Sequence, residues 1–211
     1  MSSRTTRIKI CGITSIEIAN VATNAGADII GLMVNVPASP RNLSIEKAQE
    51  IAKALPPQTM VVVVMQNESA QIAEQIPSTW VQLHGDEDEQ TVAEFAKTKH
   101  VIKGFRFDIE QVKRWNADPH IDVLLIDGSS GGKGESFDHQ QLAQMMPTIE
   151  KPIILAGGLN TENVGDAIRT VRPFCVDVSS AVETAPGEKD PALIHAFCEA
   201  VIKADNEVYR D

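Results

Sequence analysis

The sequence is poor in cysteine. Only three cysteines occur in 211 residues, Cys11, Cys175 and Cys198. Their number is odd and their spacings match neither a CxxC pair nor a zinc-binding pattern, so we expect reduced thiols rather than disulfides. No metal site is indicated, and we expect no cofactor.

Long apolar runs are also missing. The longest one covers residues 60–65, whereas a helix that crosses a bilayer needs roughly 20 apolar residues. Residues 1–7 are polar and lack the apolar segment of a signal peptide. We therefore expect a cytoplasmic protein without membrane contact.

Positive charge is scarce as well. The chain has 19 basic and 29 acidic residues, which gives a formal net charge of −10. This balance argues against nucleic acid as a partner and opposes an anionic ligand at long range. A site for an anion therefore has to be built locally, from backbone N–H groups and a few placed cations.

What the sequence does contain is a regular alternation of short β-branched apolar runs with segments of helical period. The runs predict strands at 7–11, 29–34, 59–65, 81–83, 101–105, 123–126, 153–156 and 175–178. The segments between them predict helices at 16–25, 45–55, 70–76, 87–97, 109–115, 139–146, 161–171 and 192–204. Strict alternation with nearly continuous hydrophobic strands is typical of a parallel sheet covered by helices. We predict a single-domain (β/α)8 TIM barrel, with a doubly wound open sheet as the alternative.

One long irregular stretch, 128–138, follows the sixth predicted strand and is rich in Gly and Ser. A disordered insertion is one interpretation. In a barrel, a loop at this position lies on the C-terminal face, where mobile loops enclose substrates, and we predict that role.

Polar residues at the ends of strands are the candidates for chemistry, because active sites of these barrels lie at the C-terminal ends of the strands. Cys11 ends the first predicted strand and leads into Gly12, and Asp127 ends the sixth. A small buried hydrophobic residue is the alternative for Cys11. A structural salt bridge is the alternative for Asp127.

Three further polar residues follow or lie in predicted strands. Arg41 comes after the second strand, and its planar fork suits a carboxylate, although a solvated surface arginine is the alternative. His84 closes the fourth strand, where we expect a structural or supporting role. Asp177 lies in the eighth strand, and we expect it to line the barrel and orient other groups.

The strongest local signal is a pair of turns after the last two strands. Gly157 and Gly158 precede one helix, and Ser179, Ser180 and Ala181 follow the eighth strand. Unpaired amides and the positive end of a helix both favour an anion, and in this fold these two loops frequently bind phosphate. Ordinary helix capping is the alternative. We predict a small phosphorylated substrate.

Taken together, the motifs resemble the phosphoribosylanthranilate isomerase family of tryptophan biosynthesis over residues 8–191. The matching segments are KICGIT at 9–14, GAD at 26–28, SPRNLS at 39–44, VQLHGDE at 81–87, LLIDGSSGG at 124–132, AGGLNTENV at 156–164, VRPFCVDVSS at 171–180 and PGEKDP at 186–191. This family carries out an Amadori rearrangement of N-(5'-phosphoribosyl)anthranilate.

The resemblance implies a role for each site residue. Cys11 would be the general base at C2' of the sugar, and Asp127 the general acid at the ring oxygen. Arg41 would bind the anthranilate carboxylate. The amides around Gly158, Ser180 and Ala181 would hold the phosphate. For this chemistry at neutral pH we expect the pKa of the Cys11 thiol to be lowered by its surroundings.

Several positions depart from the family pattern. Asn35, Val36 and Ala38 replace aromatic residues and a lysine, which affects the packing of the anthranilate ring. Glu135 replaces a lysine, and Lys133 offers another cation nearby. Ala181 stands where glycine is usual, so a positive φ there would cost about 1 kcal/mol.

Two alternatives to this function remain. One is the related aminoaldose isomerase of histidine biosynthesis, which has an aspartate where this chain has Cys11. The other is a catalytically silent barrel that only binds a phosphorylated metabolite, but such a chain would keep the two turns while losing Cys11 or Asp127. The sequence leaves the oligomeric state open between monomer and homodimer.

Overall fold

A computed structural model describes residues 5–128 and 139–209 of the chain. Its eight long parallel strands are hydrogen-bonded in chain order, and the first strand pairs with both the second and the last. The strands are β1 (Arg7–Cys11), β2 (Ile29–Val34), β3 (Met60–Met65), β4 (Trp80–Leu83), β5 (His100–Arg106), β6 (Val123–Asp127), β7 (Ile153–Ala156) and β8 (Cys175–Val178). The ring of pairings confirms the predicted barrel and excludes the open sheet.

A helix follows each of these strands along the chain. They are α1 (Ile16–Ala25), α2 (Ile45–Ala54), α3 (Ala70–Glu74), α4 (Glu89–Ala96), α5 (Ile109–Ala117), α6 (His139–Met145), α7 (Val164–Val171) and α8 (Pro191–Tyr209). The expected elements are all present, but several ends differ. Helix α4 begins two residues later than predicted, because the Asp88 side chain accepts the Thr91 amide and caps the helix there.

Two short pairings were not predicted. Asn42–Leu43 adds a two-residue strand beside β2. After β8, the segments Glu183–Ala185 and Glu188–Lys189 pair as an antiparallel hairpin around Gly187. Both additions lie at the C-terminal end of the barrel, which is the end that the predicted site occupies.

The strands divide the interior into two apolar clusters. On β1, Ile8 and Ile10 belong to the cluster between the barrel and its helices. Cys11 belongs to the second cluster, with residues such as Val62 and Leu125. Because neighbouring residues of a strand point to opposite faces, Lys9 and Cys11 share the face that fills the barrel. The thiol therefore faces the barrel interior.

The predicted substrate-enclosing loop, including Lys133 and Glu135, lies almost entirely outside the described residues. Within the described ranges, no helix is both long enough and apolar enough to cross a membrane. Cys11, Cys175 and Cys198 are all described, and each is a buried thiol outside any disulfide.

Candidate active site

The thiol of Cys11 is positioned by a close approach of β1 and β2. Cys11 is 7% exposed and pairs in register with Gly31. A Cβ built on Gly31 would lie 2.9 Å from Cys11 Sγ and 3.1 Å from Lys9 Nζ. Glycine at this position therefore leaves the space in which the thiol and the lysine ammonium meet.

Lys9 is a site residue that the sequence analysis missed. Its side chain is fully buried, and Nζ donates to Asp177 Oδ1 at 2.9 Å across the β1 and β8 pairing. Burial alone would lower the pKa of Lys9, but Asp177 and Cys11 outweigh burial and raise it. Lys9 is therefore a cation inside the barrel. A charged residue two positions before Cys11, on the inward face of a buried strand, was the available signal.

The environment of the thiol differs from what we expected. Burial raises the pKa of Cys11, and the cations of Lys9 and Lys189 oppose that rise without overcoming it. The expected lowering of the thiol pKa is therefore wrong for the ligand-free protein, because the barrel interior excludes water from the sulfur. The thiol is the main form at neutral pH.

Asp127 ends β6 and faces His84. The distance from His84 Nε2 to Asp127 Oδ2 is 3.7 Å, which is longer than a normal hydrogen bond. Gln82 Nε2 donates to His84 Nδ1 at 2.9 Å, so in this amide orientation the imidazole proton lies on Nε2, toward Asp127. Burial lowers the pKa of His84, and the ring is neutral at pH 7. Gln82 is a second residue that the sequence analysis missed.

The two turns predicted to bind phosphate lie on one cavity of about 160 Å³. The site residues that line this cavity are Asp127, Gly157, Gly158, Asp177, Ser179, Ser180 and Ala181. Gly157 and Gly158 have φ values of 92° and 67°, a conformation that favours glycine. A Cβ on Gly158 would meet none of the described atoms within 4 Å, so among these residues the space beside this turn is open to a ligand.

The amides at the start of α7 are not free, contrary to expectation. Asn160 Oδ1 accepts the amides of Glu162 and Asn163, and Asn163 Oδ1 accepts the amide of Asn160. These side-chain bonds hold residues 160–163 in a turn, and the helix begins at Val164 and not at 161. In the described part of the chain, the amide of Gly158 donates to no protein acceptor.

The second turn carries no backbone strain at Ala181. Positive φ among the described non-glycine residues occurs only at Asn35, Asn67 and Arg172, so the substitution of glycine at 181 needs no unusual conformation. The Ser179 hydroxyl is already engaged in a protein contact, since Oγ donates to the Cys11 carbonyl at 3.2 Å. Ser179 thus connects the phosphate turn to the end of β1.

Arg41 lies against Gly12, because a Cβ on Gly12 would overlap Arg41 Cδ. Its Nε and Nη2 donate to the two carboxylate oxygens of Glu183 at 2.7 and 2.6 Å. Lys189 Nζ donates to Glu183 Oε1 at 2.6 Å. Glu183 and Lys189 are further residues that the sequence analysis missed. Among the described residues, no cluster of three His, Cys, Asp or Glu side chains is arranged to hold a metal ion.

Comparisons with known proteins agree on one family. A family model described as N-(5'phosphoribosyl)anthranilate (PRA) isomerase matches residues 8–200. The chain is 44% identical over 204 residues to the N-(5'-phosphoribosyl)anthranilate isomerase of Neisseria gonorrhoeae, covering 92% of this chain and 95% of the relative. It is 40% identical over 210 residues to that of Dechloromonas aromatica, covering 96% and 99%.

Solved structures give the same result. The phosphoribosyl anthranilate isomerase of Thermotoga maritima superimposes with a TM-score of 0.84 at 36% identity, covering 93% of this chain and 98% of that one. A phosphoribosyl anthranilate isomerase in complex with reduced 1-(o-carboxyphenylamino)-1-deoxyribulose 5-phosphate superimposes with a TM-score of 0.80 at 35% identity, with the same coverage. The chain belongs to the phosphoribosylanthranilate isomerase family.

Proposed function

We propose that this protein converts N-(5'-phosphoribosyl)anthranilate into 1-(2-carboxyphenylamino)-1-deoxyribulose 5-phosphate by general acid and base catalysis. The observation that carries the proposal is that Asp127 lines the same cavity as the two predicted phosphate turns. The thiol of Cys11 faces the interior of the same barrel from β1. Family membership supports the choice of substrate.

The first step is opening of the ribose ring. Asp127 gives its proton to the ring oxygen while the bond from C1' to that oxygen breaks, and the anilino nitrogen supplies the electron pair that forms the C1' iminium. Without a proton donor the leaving oxygen would become an alkoxide, which is why an acid is needed here. The group that faces Asp127 is the neutral His84 ring, with Nε2 at 3.7 Å from Asp127 Oδ2.

The second step is removal of the C2' proton. The Cys11 thiolate takes this proton, and the electrons of the broken bond form the double bond between C1' and C2' as the iminium nitrogen is neutralised. In the ketonisation of this enolamine, C1' gains a proton and the C2' hydroxyl loses one. Return of the proton held by Cys11 and reprotonation of Asp127 then restore both groups, so the reaction consumes no net proton. The buried Lys9 ammonium favours the thiolate electrostatically, whereas burial disfavours it. The thiolate is therefore a minor species at neutral pH but a strong base.

Binding uses the two ends of the substrate. The amides of Gly158, Ser180 and Ala181 hold the phosphate locally, as a chain of net charge −10 requires. Arg41 binds the anthranilate carboxylate with the guanidinium edge that Glu183 does not occupy. The reacting sugar then lies between Cys11 and Asp127.

Incubation with N-(5'-phosphoribosyl)anthranilate tests the proposal directly. Turnover should remove the anthranilate fluorescence at a rate proportional to protein concentration. The aminoaldose substrate of histidine biosynthesis should not be converted. Tight binding of the first compound without loss of fluorescence would instead favour the silent binding barrel.

A further inference from the structure

The Glu183 carboxylate is the most heavily bonded acidic group near the site. Oε1 accepts from Arg41 Nε and Lys189 Nζ, and Oε2 accepts from Arg41 Nη2 and, at 3.2 Å, from the Gly187 amide. The Glu183 side chain is only 3% exposed. Burial by itself would raise its pKa, but the hydrogen bonds from Arg41 and Lys189 outweigh burial and hold it at about 2. Glu183 is ionised under all working conditions.

Glu183 occupies one edge of the Arg41 guanidinium and leaves the other edge unused. A guanidinium carries five N–H groups, one on Nε and two on each terminal nitrogen. Glu183 accepts from Nε and from Nη2, so the two protons of Nη1 and the second proton of Nη2 remain. Among the described residues none of these meets a protein acceptor. Two parallel N–H groups of this kind match a second carboxylate.

The position of Glu183 is itself fixed from the other side. Lys189 is fully buried, and its Nζ also donates to the carbonyl oxygen and the hydroxyl oxygen of Ser179, at 3.0 and 3.3 Å. The Ser179 hydroxyl in turn donates to the Cys11 carbonyl. Glu183 therefore connects Arg41 to a rigid anchor between the phosphate turn and the end of β1.

We propose that Glu183 is a positioning residue that aims the unused edge of Arg41 at the carboxylate of the aromatic substrate. This inference rests on the proposed function, which assigns that carboxylate to Arg41. Glu183 itself touches no substrate atom. Simple charge counting predicts the opposite effect, because a carboxylate beside Arg41 should repel an anionic ligand. Fixed geometry outweighs this repulsion, since a bidentate contact requires the guanidinium plane to be held in place.

The test compares two ligands that differ in one group. One is reduced 1-(o-carboxyphenylamino)-1-deoxyribulose 5-phosphate, the compound present in the solved complex of a relative. The other is the same molecule without the aromatic carboxyl. The ratio of their dissociation constants measures what the carboxylate contributes, and it should be ~10 to ~100 in the unaltered protein.

Four variants make the comparison decisive. In Arg41→Met the ratio should fall below ~3, because the guanidinium is absent. In Glu183→Gln it should also fall below ~3, while affinity for the carboxyl-free ligand changes by less than ~3-fold. Glu183→Asp keeps the charge but withdraws it by one methylene, and the ratio should fall at least ~3-fold. Glu89→Gln breaks a surface pair of the same bidentate geometry with Arg114, and the ratio should not change.

The outcomes separate this inference from the proposed function. An unchanged ratio in Arg41→Met would show that Arg41 does not bind the carboxylate and would overturn the inference together with that assignment, whereas the turnover assay decides the proposed reaction. A ratio that collapses in Arg41→Met but stays high or rises in folded Glu183→Gln would overturn the positioning role alone. Thermal melting identifies folded protein, and if Glu183→Gln does not fold, an unchanged ratio in Glu183→Asp overturns the proposal instead. If Glu183 had only a structural role, its substitution would weaken the binding of both ligands equally and leave the ratio of their dissociation constants unchanged.

Discussion

Lys9 and Lys103 are buried lysines on strands of this barrel, and their surroundings differ. Lys9 pairs with Asp177 on the β1 and β8 side, next to the Cys11 thiol. Lys103 pairs with Glu87 on the β4 and β5 side and also donates to the Gly85 carbonyl. The Glu87 carboxylate also accepts hydrogen bonds from the amides of Asn67 and Gly85.

The difference lies in what each pair faces. The partner of Lys9, Asp177, lines the cavity with Asp127 and the phosphate turns. Lys103 and Glu87 line a different cavity of about 840 Å³, and Glu87 is bonded there to backbone amides of neighbouring turns. Burial of a charge pair by itself therefore does not imply a role in the chemistry. We interpret the Lys9 pair as part of the chemistry and the Lys103 pair as part of the fold.

The largest effect should be on stability, in Lys103→Met. Lys103 and Glu87 are 2% and 1% exposed, and removing one partner leaves the other charge buried and uncompensated, at a cost of about 3–5 kcal/mol. Denaturant unfolding measures this loss. The pH profile of kcat/KM for the folded fraction should stay in place, and a displaced profile would remove the distinction between the two lysines.

Next are the two groups assigned to proton transfer. Cys11→Ala and Asp127→Asn should each lower turnover at least ~100-fold, because general acid or base catalysis contributes that much. Both variants should still bind the reduced product analogue, since the phosphate turns and Arg41 are intact. Near-native turnover in either one would show that its assigned role is wrong.

Lys9→Met should change the pH dependence of the reaction. Burial raises the thiol pKa, and only the thiolate can act as the base, so one limb of the kcat/KM profile of the unaltered protein should report the thiol and lie above neutral pH. Lys9 lowers that pKa, so its loss should move this limb to higher pH and reduce kcat/KM ~10-fold at pH 7.5. A pH–rate series on both proteins measures the displacement, with Lys103→Met as the control.

The smallest effect should follow Gln82→Leu. Gln82 is nearly fully buried, and its amide lies 2.9 Å from Nδ1 of His84, the ring that faces Asp127, so any effect on Asp127 passes through the imidazole. We expect kcat to fall ~3- to ~10-fold with KM unchanged. An equal loss of affinity and turnover would indicate that Gln82 only supports the fold.

The barrel could be predicted from the sequence because the features that define its strands and turns lie within a few neighbouring residues. Runs such as residues 60–65 are apolar enough to identify a buried strand directly, and the Gly157-Gly158 turn follows from the left-handed conformations that glycine permits. Helix ends were less accurate, since side-chain caps such as that of Asp88 on the Thr91 amide decide them.

Contacts between segments that lie far apart in the sequence could not be predicted from such local features. Arg41 and Glu183 are 142 residues apart, so the sequence predicted a polar role for Arg41 but not the carboxylate that holds it. The thiol pKa was predicted in the wrong direction, because desolvation by the assembled barrel outweighs the cations beside the sulfur. The role of Lys9 could have been predicted from the sequence, because it is a charged residue on the inward face of β1.

The rate at which iodoacetamide alkylates Cys11 tests the central claim most directly. It would be followed across pH by mass spectrometry of the Cys11 peptide, and compared with kcat/KM of the same protein. If the thiolate is the base, the two pH profiles should share one midpoint, and both midpoints should move up together in Lys9→Met. An alkylation midpoint that moves while the kcat/KM limb stays in place would contradict the account, because another group would then remove the proton.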